Sequence, residues 1–513
     1  MSAPTYYVTT PIYYVNDSPH IGHAYTSVAC DALARFMRLD GYDVKFLTGT
    51  DEHGQKVEKA ALDAGEAPQD FVDRVSQRFR DLREPMGLTN DDFIRTTEDR
   101  HTASVQQLWR ELVKRDEIYL GTYAGWYSVR DEAFYAESEL VDGIAPTGAP
   151  VEWVEEPSYF FRLSAWQDRL IEYYESNPDS VMPASRRNEV MSFVKGGLLD
   201  LSVSRTSLKW GVPVPDDPDH VMYVWIDALT NYITAAGYPD TTCEDFSKYW
   251  PCDVHMVGKD ILRFHAVYWP AFLMAAGLEP PKRIYAHGWW TSEGQKISKS
   301  LGNVIEPLGL VDKFGLDQVR YFMLREVPFG NDGDFSERAM VNRINGDLAN
   351  DFGNLAQRTL SMIAKNCDGQ VPTPGDHSDD DKALLAAAGE LLEVTRGHMH
   401  RQEFHLALIE QWRVIALANR YVDAQAPWTL RKTDPPRMAT VLYVLAEVIR
   451  RLAILAQPVI PGAAGRMLDQ LAVAEDARIF ANLGSESALA PATPLPKPEG
   501  VFPRYVEDAE EGA

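Results

Sequence analysis

Cysteine is scarce in this sequence, and its spacing supports none of the usual cross-links. Four cysteines occur among 513 residues, Cys30, Cys243, Cys252 and Cys367, and no two of them form a Cys-x-x-Cys pair. Neither a disulfide framework nor a thiolate zinc knuckle is supported by this spacing. We therefore expect isolated thiols in a reducing compartment.

Long apolar runs and targeting segments are also missing. No apolar run approaches the about 20 residues that a membrane-spanning helix needs. The first residues, MSAPTYYVTT, contain neither a basic segment followed by an apolar one nor an arginine-rich transit pattern. We expect a cytoplasmic protein with no membrane partner.

Positive charge is in deficit, with 50 Lys and Arg against 75 Asp and Glu and a net charge of −25. Taken alone, this argues against a polyanionic partner, because phosphate contacts need Lys and Arg. Binding uses local patches, however, and not the average field. Residues 185–197 and 204–210 are candidate basic patches, and solvated surface charge explains both at least as well.

The order of predicted elements indicates an α/β protein. Residues 5–15 are rich in Tyr, Val and Thr, which predicts a buried strand. Apolar residues at helical spacing follow from 24 to 39, and "YDVKFLTGTD" predicts a second strand. Strand, helix and strand in this order make a βαβ unit, which implies a parallel sheet.

The pattern then changes twice. Between 116 and 222 aromatic residues and turn signals are dense, which predicts a β-rich insertion. The α/β pattern returns with a helical stretch at 222–237 and strands at 253–261 and 283–290. After about residue 340 the pattern is almost entirely helical, which is typical of a helical bundle.

Two histidines stand at the first turn between strand and helix, in His20-Ile21-Gly22-His23. This is where α/β sheets bind phosphates, because backbone N–H groups point outward at a helix N-terminus. Gly22 would let a flat base or sugar approach the backbone, and both imidazoles can donate hydrogen bonds to phosphate oxygens. Metal ligation, a catalytic pair and ordinary loop histidines are the alternatives.

A second polar stretch, "GQKISKSLGN" at 294–303, follows the strand at 283–290. Lys296 and Lys299 lie three residues apart beside serines. Two ammonium groups on a glycine-flanked loop suit a transferring polyphosphate. A solvated basic loop explains this stretch equally well when it is considered alone.

Together the two stretches resemble the "HIGH" and "KMSKS" signatures of the class I aminoacyl-tRNA synthetases, in the expected order. Other stretches are similar to the methionine-specific members of that family over about residues 5–470: "PIYYVND", "TGTDEHG", "YVWIDAL", "VGKDILRFHAVYWP" and "ANRYVDAQAPW". The resemblance implies ATP-dependent activation of L-methionine as methionyl-adenylate. It also implies transfer to tRNA(Met), initiator tRNA included.

The resemblance assigns site residues position by position. The implied catalytic set is His20, His23, Lys296 and Lys299, and Gly22, Ser298 and Ser300 join them in binding ATP, which arrives as its Mg²⁺ complex. The implied methionine site is Ile12, Tyr14, Asp51, Trp225, Ala228, Leu229, Tyr232, Ile261, Phe264 and His265, with Asp51 holding the ammonium group. Trp225, Ala228, Leu229 and Tyr232 have the spacing of one helix face, for which plain core is the alternative.

Leu229, Lys259 and Asp260 are supported by the resemblance less well than the other residues. Many relatives carry proline at the Leu229 position, so the resemblance does not determine the shape of that wall. Lys259 and Asp260 are weaker candidates, for which a strand-end salt bridge is the alternative.

In the helical region Asn354, Arg358 and Trp428 match the family's anticodon-reading positions. An aromatic plane can stack on an unpaired base while Asn and Arg read its edge. Helix-surface polarity and a buried tryptophan are the alternatives. We expect a monomer, because the chain ends soon after its bundle with a proline-rich tail and a final EDAEEGA that we expect to be disordered.

The expected fold class is therefore an α/β, Rossmann-like parallel-sheet catalytic domain split by a β-rich insertion and followed by an α-helical anticodon-binding bundle. The expected boundaries are 1–115 and 223–297 for the two catalytic halves, 116–222 for the insertion, 298–345 for the KMSKS-type loop and stem-contact region, 346–480 for the bundle and 481–513 for the tail.

Two other functions fit part of the sequence. A small-molecule nucleotidyltransferase shares the histidine turn, but it needs neither a bundle nor an insertion. A non-catalytic, tRNA-binding synthetase-like protein would not need both signatures intact. Editing members of the family carry insertions much larger than residues 116–222.

The sequence also predicts that no structural zinc is bound. Relatives with one zinc knuckle carry Cys-x-x-Cys and Cys-Pro-x-His in the insertion, where this chain has Ser128, Asp131 and Ala145-Pro146-Thr147-Gly148. Without thiolates or imidazoles there is no tetrahedral shell for zinc. Elemental analysis should find less than stoichiometric zinc, and a chelator should leave activity intact when Mg²⁺ is in excess. Stoichiometric zinc would contradict this expectation.

Overall fold

The computed structural model describes residues 3–15, 18–131, 133–135, 137–292, 294–297 and 304–506, without the side chains of 133, 134, 295 and 296. The strands are β1 (Thr5–Thr9), β2 (Tyr13–Tyr14), β3 (Asp43–Asp51), β4 (Asp92–Arg95), β5 (Ile118–Ser128), β6 (Ala133–Tyr135), β7 (Glu152–Phe161), β8 (Val181–Met182), β9 (Leu201–Ser202), β10 (Ser204–Arg205), β11 (Pro213–Val214), β12 (Asp217–Met222), β13 (Val254–Gly258), β14 (Ile284–His287), β15 (Trp290–Ser292), β16 (Gln295–Lys296) and β17 (Gly333–Phe335).

The α-helices are α1 (Ile21–Leu39), α2 (Gln55–Ala64), α3 (Pro68–Arg80), α4 (Asp99–Lys114), α5 (Gln167–Ser176), α6 (Ala184–Lys195), α7 (Val224–Leu229), α8 (Asn231–Thr234), α9 (Glu244–Tyr249), α10 (Trp269–Ala276), α11 (Pro307–Phe314), α12 (Leu316–Arg325), α13 (Glu337–Arg343), α14 (Asn354–Asn366), α15 (Asp379–His400), α16 (Phe404–Gln425), α17 (Pro427–Thr433), α18 (Pro435–Ala456) and α19 (Pro461–Gln470). Phe264–Tyr268 and Ile344–Gly353 are π-helical.

A parallel sheet forms the centre of the part of the chain that precedes the helical bundle. Its strand order is β2-β3-β1-β13-β14-β8, and β4 also pairs with β3. The pairs are parallel, as in Val8 beside Val254. The predicted βαβ unit and the parallel sheet are thus confirmed.

Alternation along β1 separates two hydrophobic cores. Tyr6 and Val8 face a core that includes α1 and extends continuously into the helical bundle as far as Phe502. Tyr7 faces a second core, shared with α4, α10 and part of the insertion. Since successive strand residues point to opposite faces, one sheet joins the bundle on one side and the insertion on the other.

The segment 116–222 is only in part a separate β unit. Strands β5 and β7 pair antiparallel over ten residues, from Ile118 beside Phe161 to Tyr127 beside Glu152. Helices α5 and α6 flank β8, however, and β8 extends the catalytic sheet next to β14. The short helical patterns of this stretch are easily missed among its aromatic residues.

Two other predicted elements differ in detail. The helical stretch expected at 222–237 starts after β12 and is divided at Thr230 into α7 and α8. The proline-rich tail is extended and packs on the bundle, with backbone bonds between Val371 and Thr493 and with Val501 and Phe502 buried. The final EDAEEGA lies outside the described residues. Among the helices that are described, none is both long and apolar enough to cross a membrane.

A buried ion pair connects the parallel-sheet part of the molecule to the bundle. Arg320 on α12 is fully buried, and its Nη2 lies 2.6 Å from Asp31 Oδ2 on α1. The same guanidinium donates to the carbonyls of Met86, Pro458 and Val459. Pro458 and Val459 lie between α18 and α19, so one side chain holds three parts of the chain together.

Removing this guanidinium should destabilise the protein more than removing an exposed one. Arg320→Met would leave Asp31 buried with only part of its partners, and breaking a buried pair in this way typically costs about 3–5 kcal/mol. The exposed pair of Arg74 and Glu66 provides the control, because such a pair contributes about 0–1 kcal/mol. We expect thermal unfolding of Arg320→Met well below that of Arg74→Met. Equal unfolding temperatures would contradict the role assigned to Arg320.

Candidate active site

The two signature histidines form the N-terminal cap of α1. His20 is the N-cap residue, and its Nδ1 accepts from the Gly22 N–H at 3.1 Å. His23 Nδ1 accepts from the His20 N–H at 3.1 Å, which completes a reciprocal capping box made of imidazoles. The two rings stack with centroids 3.8 Å apart.

This capping sets the tautomers of both rings. Because each Nδ1 accepts a backbone N–H, a neutral ring carries its proton on Nε2. Burial lowers the pKa of His23 well below its usual value, and the neighbouring His20 lowers it further. The ring of His23 also contacts Tyr13 and Phe79. At neutral pH the pair therefore presents Nε2–H donors without a positive charge on His23.

The expectation that backbone N–H groups of this turn point outward to a phosphate is wrong for the first turn of α1. The Ile21 N–H donates to Ile305, the Gly22 N–H to the His20 ring, and the His23 N–H to the His20 carbonyl. The physical reason is that two backbone carbonyls and the His20 ring already accept from these groups. Gly22 is needed because a Cβ there would lie 2.9 Å from His20 Cε1.

A short strand connects this turn to the expected methionine site. Tyr14 on β2 lies beside Asp51 on β3, and its hydroxyl donates to the His53 carbonyl at 3.0 Å. Its neighbour Tyr13 points the other way, and its hydroxyl bonds the His23 carbonyl. Asp51 is buried at the carboxyl end of β3. The strand thus places the two sites on opposite sides of one backbone.

The expected methionine residues converge from three segments. Trp225 stacks on Phe264 with centroids 3.6 Å apart and planes 6° apart. Ile12, Trp225, Ile261 and Phe264 pack, partly buried, against the core that contains Leu229 and Tyr232. Ala228 is buried on α7.

A neutral hydrogen-bonded chain lies at the back of this group. Tyr232 Oη lies 2.7 Å from His265 Nε2, and His265 Nδ1 lies 3.0 Å from the Ile261 carbonyl. The carbonyl can only accept, so the proton is on Nδ1 and the tyrosine donates to Nε2. Burial lowers the pKa of His265 to about 4, so the ring is neutral at pH 7. Aromatic walls with one neutral polar chain suit a flexible thioether.

Trp225 also carries an unused donor. Its Nε1 is buried and makes no hydrogen bond within the described part of the chain. A cavity of about 340 Å³ lies elsewhere, beside Tyr13, Phe79 and Phe93.

The weaker candidates Lys259 and Asp260 directly follow β13, at its carboxyl end. Lys259 Nζ is 2.6 Å from Asp332 Oδ2 and 4.2 Å from the centre of the Trp289 ring. Trp289 Nε1 donates to Asp260 Oδ1 at 3.0 Å. A salt bridge was the alternative reading for these two residues, and Lys259 does form one, with Asp332. Lys259 and Asp260 both contact the Trp289 indole, which is 38% exposed at the carboxyl end of the sheet.

The second signature begins at β16, in a small sheet of three strands, β16-β15-β17. β15 pairs with β16, which places the Lys296 backbone beside Thr291. The Lys296 side chain is not described, and Ser298, Lys299 and Ser300 lie outside the described residues. The chain is described again from residue 304, and the Ile305 carbonyl accepts from Ile21 at the start of α1. The backbone is therefore held on both sides of residues 298–303. Lys296 pairs with Thr291, and Ile305 bonds Ile21, next to His20.

The three expected anticodon residues are brought together on the bundle. Arg358 lies above the Trp428 ring at 5.4 Å and bonds Asp423 at 3.1 Å. Asn354 is exposed one turn earlier on α14, and Trp428 is 44% exposed. The alternative of a buried tryptophan is therefore wrong, and an aromatic plane with an adjacent cation faces solvent.

The position of the family's zinc knuckle holds a hydrogen-bonded turn. Ser128 Oγ accepts from the Asp131 N–H at 3.2 Å, and Tyr135 and Thr147 both donate to Asp131 Oδ2. Arg130 donates to the Thr147 carbonyl at 2.7 Å. Within the described residues no cluster of three His, Cys, Asp or Glu could hold a metal.

The structure adds one cluster that the sequence did not predict. Asp227 on α7 bonds His53 and His101, and all three are buried. The signal was an acidic residue within an apolar helical stretch, "VWIDAL", because buried charges are rare unless they are paired. Its partners are distant in sequence and could not be inferred from it.

Known families match nearly the whole chain. The family described as "tRNA synthetases class I (M)" matches residues 6–150 and 144–360. The family described as "Anticodon binding domain of methionyl tRNA ligase" matches residues 371–512. The two families divide the chain between its catalytic and helical parts.

Individual proteins are similar over the same length. A methionine–tRNA ligase of Mesorhizobium japonicum is 60% identical over 512 residues, 99% of each chain. That of Mycobacterium tuberculosis is 57% identical over 509 residues, 98% of each. The M. tuberculosis methionyl-tRNA synthetase in complex with methionyl-adenylate has a TM-score of 0.95 at 56% identity, covering 98% of this chain and 100% of that one. Its apo form has a TM-score of 0.90 at 53% identity, covering 99% of each.

Proposed function

The chain belongs to the methionine-specific class I aminoacyl-tRNA synthetases, and from this we propose which of its residues carry each step. The enzyme joins L-methionine to tRNA with ATP through methionyl-adenylate. The methionine carboxylate attacks the α-phosphorus, diphosphate leaves, and the methionyl group then passes to tRNA with release of AMP. A small-molecule nucleotidyltransferase would leave the bundle without a use.

In the first step the chain supplies donors and no nucleophile, because the substrate carboxylate is already charged. We assign His20 and His23 to the phosphates through Nε2–H, since both Nδ1 atoms are occupied by backbone N–H groups. Neutral imidazole donors that are fixed by a capping box need no reorganisation as charge develops. This geometry is the observation that carries the proposal. Lys296 and Lys299 add charge to the departing diphosphate, as the sequence predicts.

For methionine we propose that Asp51 takes the ammonium group while Trp225, Phe264 and their neighbours enclose the side chain. These two rings are stacked with their centroids 3.6 Å apart, which leaves no room between them, and we propose that the thioether binds between them. Binding therefore separates or shifts the rings, and the neutral bond from Tyr232 to His265 keeps charge away from the sulfur.

For tRNA we propose that Trp428, Arg358 and Asn354 read the anticodon. The exposed indole under a guanidinium is the supporting observation, because an unpaired base stacks on such a plane. Initiator tRNA shares this anticodon and belongs to the same proposal.

Five further properties are part of the proposal. ATP enters as its Mg²⁺ complex, and the enzyme acts as a cytoplasmic monomer. No structural zinc is required, since hydrogen bonds of Asp131 hold the turn where relatives bind it. The six-part division of the chain is kept, with β8 assigned to the catalytic sheet because of its pairing.

Lys299→Ala should cripple adenylate formation without unfolding the protein. The lost ammonium acts on charge that develops in the transition state, so kcat should fall more than the methionine KM rises. ATP–diphosphate exchange measures both constants. Lys114→Ala, which removes a 76% exposed lysine of α4, serves as the control and should be unchanged. Near-normal exchange in Lys299→Ala would refute the assignment.

Trp428→Ala should separate the two steps. Loss of base stacking costs about 1–3 kcal/mol, or roughly 5- to 150-fold in equilibrium. Methionine-dependent ATP–diphosphate exchange should stay near wild type while tRNA charging falls. Trp428→Phe keeps an aromatic plane and should retain most charging. If exchange and charging fall together, Trp428 is structural, and if charging survives, the anticodon is read elsewhere.

A further inference from the structure

A carboxylate is buried within the walls of the methionine site. Asp227 lies on α7 between Trp225 and Ala228 and is fully buried. Its Oδ2 lies 2.6 Å from His53 Nδ1, and its Oδ1 lies 2.7 Å from His101 Nε2. An ionised carboxylate can only accept, so each imidazole donates to one oxygen.

These contacts join segments that carry different halves of the methionine site. His53 lies two residues after Asp51, and its carbonyl also accepts from the Tyr14 hydroxyl. His101 lies on α4, which packs against α8 and α10. Asp227 therefore ties the ammonium-binding segment to the helix that carries the aromatic wall.

Glu52, which lies between Asp51 and His53, is also held by side chains from other parts of the chain. Arg95 binds Glu52 with two hydrogen bonds, of 2.7 Å and 2.9 Å. Trp210 donates to the Glu52 carbonyl at 2.6 Å. With Glu52 held in this way, the spacing between the segment and α7 depends on the contact between His53 and Asp227.

The charge at this position is costly unless its geometry is kept. Burial alone raises the pKa of Asp227, but His53 and His101 together lower it to about 2. Apolar side chains of similar volume would stabilise a core at least as well as such a buried charged cluster. His101 Nδ1 also makes no hydrogen bond within the described residues, which adds to the cost. A role in fixing the positions of the segments that it joins therefore explains this cluster better than a contribution to the stability of the fold does.

We infer that Asp227 is a positioning residue that sets the distance between Asp51 and the Trp225 wall, and so the length of the amino acid that is accepted. The inference rests on the proposed methionine site. Asp227 touches no reacting group, and its effect on the reaction passes through His53 and α7. The substrate class it discriminates is the set of unbranched amino acids of different side-chain length.

The test compares methionine with ethionine, which is one methylene longer. Loss of charged hydrogen bonds in Asp227→Ala should raise the methionine KM about tenfold, while kcat changes less than about threefold. The ATP KM should be unchanged, and the preference for methionine over ethionine in kcat/KM should fall by about tenfold or more. A merely structural role would not change this preference.

A conservative variant should rescue the site. In Asp227→Asn the amide oxygen can accept from His53, and the amide N–H can donate to His101 Nε2 once the proton moves to the unused Nδ1. Its methionine KM should lie within about threefold of wild type. Asp253→Ala is the matched control. Asp253 accepts from the Tyr7 N–H and from Lys282 at the amino end of β13, whereas the proposed site lies at the carboxyl ends of the strands. It should change neither KM nor preference.

Each outcome decides the inference. Unchanged preference in a folded Asp227→Ala overturns it. If that variant does not fold, His53→Ala replaces it, since this change removes the same link and leaves His101 bonded to Asp227. Asp51→Asn and Trp225→Ala are measured in parallel. If these leave the methionine KM unchanged, the site assignment fails and the inference fails with it. If they raise it while Asp227→Ala and His53→Ala do not, only the inference fails.

Discussion

The pairing of Arg320 with Asp31 is the constraint on which the arrangement of the molecule depends. A guanidinium excluded from water needs every donor satisfied, and here the partners come from α1, from the segment before β4 and from the connection between α18 and α19. The bundle can therefore take only one orientation against the catalytic sheet. The continuous core that runs from β1 to Phe502 then follows, because apolar surfaces held in register exclude water.

The proposed active site lies where the two cores separate. On one face of the sheet α1, which begins at the histidine cap, packs in the core shared with the bundle, while on the other the aromatic wall of α7 packs against the core shared with the insertion. β2 lies between them, with Tyr13 directed to His23 and Tyr14 to His53. The proposed ATP and methionine sites are thus supported by separate cores and meet at two neighbouring residues.

The class of fold could be predicted from the sequence because it depends on local patterns, while the site residues came from a resemblance and remain predictions. Helical and strand periodicity located α1, β3 and the bundle, and two short signatures located the histidines and lysines. The features that could not be predicted are contacts between residues far apart in the sequence. The pairing of β8 with β14 and the bridge from Asp227 to His101 depend on contacts between residues 100 or more positions apart, for which periodicity contains no information. The outward-facing backbone N–H groups at α1 were expected from helices in general, and the imidazole caps changed that locally.

The hydrogen bond between Ile21 and Ile305 holds the chain beside His20, at a point six positions after Lys299 in the sequence. Six residues of fully extended chain span at most about 20–22 Å, which is the longest tether that covalent geometry allows from this anchor. A group on a tether of this length has an effective concentration that is millimolar or above. In the proposed reaction the ammonium of Lys299 would therefore meet bound ATP as a tethered group and not by free encounter.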